Sequence, residues 1–568
     1  MTLEYGFTQI GDQRPDTARD RLAWAATVLA IAGLYALLHN PWWVPGGDSE
    51  FYIVAARSLA RGQGYRFNGL PVNMAPPGWA LVLAGAMKIS PSFAFLKLVN
   101  LLLLTGFLAV AWWLVRRHAT LAWTCTIVLV SAIISHVYPL SFWMHSDALF
   151  CLVSAAAMLI AHQLADRRAA TWRLPLLLVL CAAAVAVRWA GLLNWAVVAG
   201  ILLRGRSLWP RADRAWLAVA LTLLVTAGTF IGLRIGLRIS PEDARQIGLL
   251  LDESSPAAAE ARGADLQLGA LPGSLGTAWE SSGRAMARGL CCSCLMWQPL
   301  RLGSAHWLLD ALAGLLGWAL IVLMLRWTWH AMRARQWMWL GLAALCAALC
   351  LNWPKVNARY LVPFAPLILL VAVLSLQNLH GQWGTSLLAV FLGSVILCNG
   401  VLYAIDVRVA HSADFYATYE AGLNADFLAA MRHLRQLDVK ANELAVSPRY
   451  INLGRMRGTR FAIRAGVMLL DRPIQLIPPR KAGDPATPPE QRVLDWAIPR
   501  GVRYYLYQPP ISPWRIWHFR LPWLQQRLTA QPPREIPFTW QLYEIRDGRA
   551  IKLTLSPDYE PVRNVPGL

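Results

Sequence analysis

Stretches of about 20 apolar residues, the length a helix needs to cross a bilayer, recur along this chain. They run over 21–39, 93–115, 120–138, 147–165, 213–236, 305–325, 337–352, 360–376 and 383–405. A water-soluble globule has no interior large enough for so many. Composition agrees: of 568 residues, 56% are hydrophobic and 15% charged, against about 25% charged in an average soluble domain. The wealth of Leu, Ala, Val and Trp also excludes disorder. Lys and Arg number 53 against 32 Asp and Glu, a net charge of +21. Such an excess suits nucleic acid or anionic lipid. Here the apolar runs make the membrane the partner, and no nucleic acid is expected.

The stretch 174–203 decides the topology. It is too long for one spanning helix, short for two, and carries Arg188 at its middle. That charge would be costly at the bilayer centre. Two short helices meeting at Arg188 place it at an interface instead. The short basic loops test the choice through the positive-inside rule. They are Arg116-Arg117-His118, Arg167-Arg168 with Arg173, Arg204 to Arg214, and Arg326 to Arg335. With the N-terminus (Arg14, Arg19, Arg21) in the cytoplasm and 174–203 split in two, all of them fall inside. The condition is that 76–89, opening Pro76-Pro77-Gly78 and containing Lys88, is re-entrant or interfacial.

The expected fold is mainly α: a polytopic transmembrane bundle of about 11 spans with a C-terminal extracytoplasmic α/β or α+β domain. Residues 1–20 form a cytoplasmic segment without a cleavable signal peptide, 21–406 the transmembrane module, and 407–568 the outer domain. The module's outer loops are 41–92, 139–146 and 237–304. In the tail, 424–437 reads as a helix, and Glu443 to Ser447, Gly501 to Gln508 and Phe538 to Arg546 read as strands. It holds 23 Lys and Arg against 14 Asp and Glu, a basic surface suited to anionic lipid or glycan. Six of the nine cysteines lie in apolar runs as small core residues. The cluster Cys291, Cys292 and Cys294 lacks zinc-ligand spacing and leaves one disulfide open.

The chemistry concentrates on outer loops. Asp48, Ser49 and Glu50 open a helix after the first span, with Tyr52 one turn on. Acids at a helix start are also what capping and the helix dipole favour. His145 and Asp147 stand at the mouth of the fourth span. Arg188, Lys355 and Arg359 lie at outer span ends, where the positive-inside rule disfavours cations. Snorkelling would also place a basic residue there. Arg234 and Arg238 read as interface anchors, and most of the 28 Trp as aromatic belts.

The order of these motifs resembles a family. An Asp48-x-Glu50 helix follows the first span. Gly62-x-Gly64-Tyr65 and Pro76-Pro77-Gly78-Trp79 come next, then Asp147 on the second outer loop. Arg188 lies in an apolar run, and Asn357-Ala358-Arg359-Tyr360 opens the tenth span. Together, over about residues 20–405, they look like the GT-C glycosyltransferases near glycosyltransferase family 39. That group holds protein O-mannosyltransferases and lipid A aminoarabinose transferases. The resemblance implies an enzyme that moves a sugar from a polyprenyl-phosphate donor to a cell-envelope acceptor. Lipopolysaccharide, another glycan, a lipid or a protein would each serve. It places such an enzyme in the bacterial cytoplasmic membrane, with its tail in the periplasm and as a monomer.

Asp48 is the position that fits the family's catalytic carboxylate. Glu50 is the fallback, and Asp147 matches the acid on the second outer loop. Tyr52, His145, Arg188, Lys355, Arg359 and Tyr360 are the candidate substrate contacts. The Lys-Pro pair expected of aminoarabinose transferases is replaced by Met74-Ala75-Pro76-Pro77, against that narrow assignment. The oligosaccharyltransferase Trp-Trp-Asp-Tyr-Gly type of motif is absent. No cofactor is called for beyond the lipid-linked donor, and a divalent metal at the acids is left open. Arginine suits a departing phosphate through its planar fork and permanent charge. The acid would take the acceptor's proton as its oxygen attacks from the face opposite the phosphate, which inverts the anomeric carbon. Partial burial against Trp42, Trp43 and Phe51 would strengthen Asp48 as a base. The competing reading is a transporter or flippase of a lipid-linked substrate. It calls for matching halves and broken midplane helices; no matching halves are visible, and the near-absence of strong charges at span centres argues against an ion-coupled pathway. A non-catalytic membrane scaffold is the third.

Overall fold

The computed structural model describes residues 17–44, 48–73, 75–165, 172–204 and 212–240. Beyond these it describes 319, 322–333, 337–343, 358–377, 379, 382–412, 415, 425–437, 439–440, 443–446, 465–476, 489–507, 541–555 and 562–566. The cluster Cys291, Cys292 and Cys294 and most of the expected outer loop 237–304 lie outside them, as does most of the expected span 305–325.

Helix α1 (Ala18–Ala36) starts on a capping box. Thr17 Oγ1 accepts from the Asp20 amide at 3.1 Å, and Asp20 Oδ2 accepts from the Thr17 amide at 3.2 Å. Asp20 also accepts from Arg116 Nε at 2.8 Å, at the far end of α4 (Phe93–Arg116). The start of α1 and the end of α4 therefore share one side of the bundle. At the other end of the same pair, His39 meets the Ala94 carbonyl at 2.9 Å.

Between α1 and α4 lie α2 (Asp48–Ala60), a two-residue hairpin of β1 (Arg66–Phe67) and β2 (Leu70–Pro71), and α3 (Gly78–Ile89). The hairpin turns on Asn68 and Gly69, both with positive φ, 55° and 81°. This is the Asn-Gly turn whose twist suits a tight hairpin. Gly78 allows the first turn of α3 to abut the backbone near the end of α7 (Arg173–Val187). A Cβ there would stand 2.6 Å from the Ala186 carbonyl oxygen. Gly78→Ala is expected to destabilise by about 1–3 kcal/mol through this overpacking, read as a lowered thermal midpoint in detergent. An unchanged midpoint would remove the close-approach reading.

Helices α5 (Leu121–Ala132) and α6 (Asp147–Ala165) follow, and α4 packs along α6, α1 and α5. Next come α7, α8 (Asn194–Arg204) and α9 (Ala212–Gly236), then α10 (Ala365–Gln377) and α11 (Gln382–Ala410). Among the described residues four helices are long and apolar enough to cross a membrane. They are Phe93–Arg116, Asp147–Ala165, Ala215–Gly236 and Gly384–Ala410. Gly78–Ile89, Leu121–Ala132, Arg173–Val187, Trp189–Leu203 and Leu361–Gln377 are apolar but shorter. This is a multi-pass membrane protein.

Two expected spans differ in form. The run 120–138 is helical only to Ala132. There the Ser135 amide donates to Asn399 Oδ1 at 2.8 Å, and the chain turns into a 3-10 helix, Tyr138–Ser141, with Pro139 inside it. The run 360–376 begins as a 3-10 helix, Ala358–Phe364, containing Pro363. Proline lacks the amide that a regular helix would use there.

Arg188 stands where the chain breaks. α7 ends at Val187, Arg188 is extended (φ −150°, ψ 140°), and a 3-10 turn, Trp189–Leu193, leads into α8.

After α11 come α12 (Ala425–Gln436), β3 (Leu444–Val446), β4 (Gln475–Leu476), α13 (Pro489–Ala497), β5 (Tyr504–Tyr507), β6 (Gln541–Arg546) and β7 (Arg549–Lys552). The five strands form one sheet in the order β4-β3-β5-β6-β7. β4, β3 and β5 are parallel, and β5, β6 and β7 antiparallel. The period-2 alternation of a strand separates its two faces. Ala445 and Tyr505 pack with Val493 and Ala497 of α13. Leu444, Val446, Tyr504 and Leu506 join the large core that includes Phe427 and Met431 of α12. β3, β5 and β6 lie within the three runs read as strands. β4, β7 and α13 had no such reading.

Candidate functional site

The side chains of α2 divide into two faces. At about 100° per residue, Asp48, Ser49 and Tyr52 share one side of the helix, and Glu50, Arg57 and Arg61 the other. The first side meets the loop before α6. The Met144 amide donates to Ser49 Oγ at 3.1 Å, and the Tyr52 hydroxyl donates to Ser146 Oγ at 3.1 Å. Trp79 of α3 donates its indole N–H to the Met144 carbonyl at 3.0 Å. Asn100 of α4 donates to the Trp143 carbonyl. Three helices thus hold residues 143–146 by their backbone and by Ser146. The loop's shape follows from the packing around it.

That loop delivers Asp147 to the first position of α6. Asp147 is 1% exposed and forms an ion pair with Arg188 Nη1, whose side chain is 15% exposed. His145 Nδ1 lies 3.9 Å from the other Asp147 oxygen, and its ring leans on Trp143 at 5.3 Å between centroids. The Arg188 guanidinium also lies over the Phe150 ring, one turn into α6, at 5.8 Å. The break after α7 aims Arg188 at the start of α6, and Asp147 fixes its direction. Asp147, expected as a second acid of the reaction, pairs with this arginine. Arg234, read as an interface anchor, stacks at 5.7 Å on Trp189, the residue after Arg188.

A second polar cluster lies at the same end of α4. Lys97, 1% exposed, donates to Asn40 Oδ1 at 2.6 Å, and Asn40 Oδ1 also accepts from the Trp42 amide at 3.1 Å. Lys97 lies three residues before Asn100, on the same face of α4. Sequence reading gave Ser49 no part beyond opening its helix, and it assigned no role to Ser146, Asn100 or Lys97. Only the Lys inside an apolar run was a visible signal.

Tyr52, His145, Asp147 and Arg188 are therefore brought together, with Asp48 on the Tyr52 face of α2 and partly buried. Glu50 is fully buried on the other face. Lys355 lies outside the described residues. Arg359 and Tyr360 lie in the 3-10 helix Ala358–Phe364, which packs on α6, and their side chains are outside the described ones. Among the described residues no group of three His, Cys, Asp or Glu could hold a metal ion.

The tail grips the same region. Asn68 exchanges two hydrogen bonds with the Ile474 backbone, donating to its carbonyl at 3.0 Å and accepting from its amide at 2.8 Å. Residues 562–566 lie against the two ends of the segment between α1 and α4. The Trp43 amide donates to the Val562 carbonyl at 2.8 Å, Phe93 to Arg563 at 2.8 Å, and Val565 to Pro91 at 2.9 Å. The Arg563 guanidinium covers Trp42 at 4.6 Å.

Comparison with known proteins places this architecture. No family model and no curated protein matches the chain. Among solved structures, the archaeal oligosaccharyltransferase AglB from Archaeoglobus fulgidus, in complex with an inhibitory peptide and a dolichol-phosphate, aligns with a TM-score of 0.52. The identity is 10%, over 87% of this chain and 70% of AglB. ArnT from Cupriavidus metallidurans in the apo state aligns with a TM-score of 0.48 and 13% identity, over 88% of this chain and 94% of ArnT. Bound to undecaprenyl phosphate, ArnT gives 0.45 and 14%, over 94% and 98%. The AglB likeness establishes the fold alone: the chain has the GT-C fold that its motif order implied.

Proposed function

We propose that this protein is an integral membrane glycosyltransferase using a polyprenyl-phosphate-linked sugar as donor. The reading is carried by one arrangement: the Asp48 face of α2 docks, through Ser49 and Tyr52, on the loop that leads to the Asp147–Arg188 pair. A carboxylate and a guanidinium on adjoining elements are what sugar transfer from a phosphate requires. The fold shared with an oligosaccharyltransferase supports it.

In this reading the donor's isoprenoid stays in lipid and its phosphate sits at the outer interface. Asp48 accepts the proton of the acceptor hydroxyl. The acceptor oxygen bonds to the anomeric carbon as the bond to the phosphate oxygen breaks, and polyprenyl phosphate leaves with the electron pair. Arg188 stabilises the charge growing on that phosphate. Attack opposite the leaving group inverts the anomeric centre. The acceptor is a cell-envelope glycan, lipid or protein on the outer face of the cytoplasmic membrane, and the tail lies on that side.

Membranes containing the protein, given radiolabelled polyprenyl-phosphate sugar, are expected to consume donor, release polyprenyl phosphate and label an endogenous acceptor. A flippase or transporter would move the donor across the bilayer intact. A scaffold would do neither, and either result would overturn the reading.

A further inference from the structure

We propose that Arg57 is a positioning residue: it sets the rotation of α2 about its axis and thereby the aim of Asp48. The inference rests on the glycosyltransferase reading and extends it to how the tail serves the reaction.

Arg57 is 3% exposed, on the face of α2 turned away from Asp48. Its Nη1 donates to the Met468 carbonyl at 2.9 Å and the Pro566 carbonyl at 2.8 Å. Its Nη2 donates to the Val467 carbonyl at 3.0 Å and lies 2.9 Å from Asp471 Oδ1. The carbonyls of Val467 and Met468 are among the last of the short helical stretch 465–470, and that of Val467 also accepts from the Asp471 amide at 3.2 Å. Arg435 of α12 donates to the next of them, Leu469. Two arginines from different elements therefore cap one helix end, where positive charge is favoured.

Asp471 closes that end with φ of 55°, a conformation usually left to glycine. A glycine there would forgo the carboxylate that Arg61 grips with both nitrogens, at 3.0 and 2.6 Å, and that Arg57 also meets. Burial lowers the Arg57 pKa to about 10, with Asp471 acting against the shift and Arg61 and Arg435 adding to it. The side chain stays charged at neutral pH. A planar fork held at four points resists turning in a way that a flexible ammonium cannot.

Arg57 lies about 13 Å along the helix from Asp48, at 1.5 Å per residue. Over that length a rigid α2 passes any rotation directly to Asp48. Misplacement of a reacting group by about 1 Å can cost about 100-fold in rate.

The test compares full-length Arg57→Ala and Arg57→Lys with the unaltered chain, with kcat expressed per folded molecule. Arg57→Ala is expected to lower kcat about 10- to 100-fold with donor KM unchanged, and Arg57→Lys to recover part of the loss. Amide hydrogen exchange over 48–60 should quicken in Arg57→Ala. Free guanidinium should restore part of the kcat of Arg57→Ala and none in the unaltered chain. An unchanged kcat per folded molecule, or a change confined to KM, overturns the inference. If the unaltered chain consumes no donor, the functional reading itself fails, which is a separate result.

Discussion

Asp48→Asn is expected to lower kcat for sugar transfer by about 10²- to 10⁴-fold, the usual contribution of a positioned general base. The substitution isolates the proton-accepting role. Asparagine serves a helix start as well as aspartate does, and the contacts made by Ser49 and Tyr52 remain in place. The folded amount should therefore stay close to that of the unaltered protein. Glu50→Gln is the matched control, because Glu50 lies on the opposite side of the same turn and is fully buried. It is expected to lower the thermal midpoint more than it lowers kcat. If Asp48→Asn turned over at the original rate while Glu50→Gln did not, the two acids would exchange roles.

Arg188→Ala should have the largest effect on stability. It would leave the Asp147 carboxylate, 1% exposed, beside His145 at 3.9 Å and without its guanidinium. Breaking one side of a buried ion pair costs about 3–5 kcal/mol, because a charge stays behind without compensation. Thermal unfolding in detergent reads this directly. Adding Asp147→Asn removes the stranded charge and should recover much of the stability, but not the transfer activity if Arg188 also meets the donor phosphate. Recovery of both would reduce Arg188 to a structural partner of Asp147. A single variant as stable as the unaltered chain would mean that the pair is solvated.

What could be read from the chain was governed by range in sequence. Arg188 in an apolar run had one inexpensive solution, a broken helix at an interface, and the backbone breaks there. The acid-bearing helix after the first apolar run was legible from Asp48 and Glu50, and α2 begins at Asp48. Which acid faces the second loop was not legible, since it depends on Ser49 and Tyr52 finding Met144 and Ser146 more than 90 residues away. The pairing of Asp147 with Arg188 was hidden for the same reason. Each looked like a separate functional residue until the break before α8 brought them together. Helix ends set by partners were misread too: nothing near Ala132 announces that Asn399 will take the Ser135 amide. In the tail, alternation marked β3, β5 and β6. β4, two residues long, was too short to show it.

The segment 562–566 adds an element of order in time. It is hydrogen-bonded to Trp43, Pro91 and Phe93, roughly five hundred residues earlier in the chain, and to Arg57 through Pro566. Contacts that distant in sequence are slow to form and reward the chain only once both ends are present. During synthesis the bundle's first helices enter the membrane long before this segment exists, so the loop carrying Asp48 waits without its final brace. The brace on that loop is therefore made only once residues 562–566 have been synthesised, long after the helices it joins.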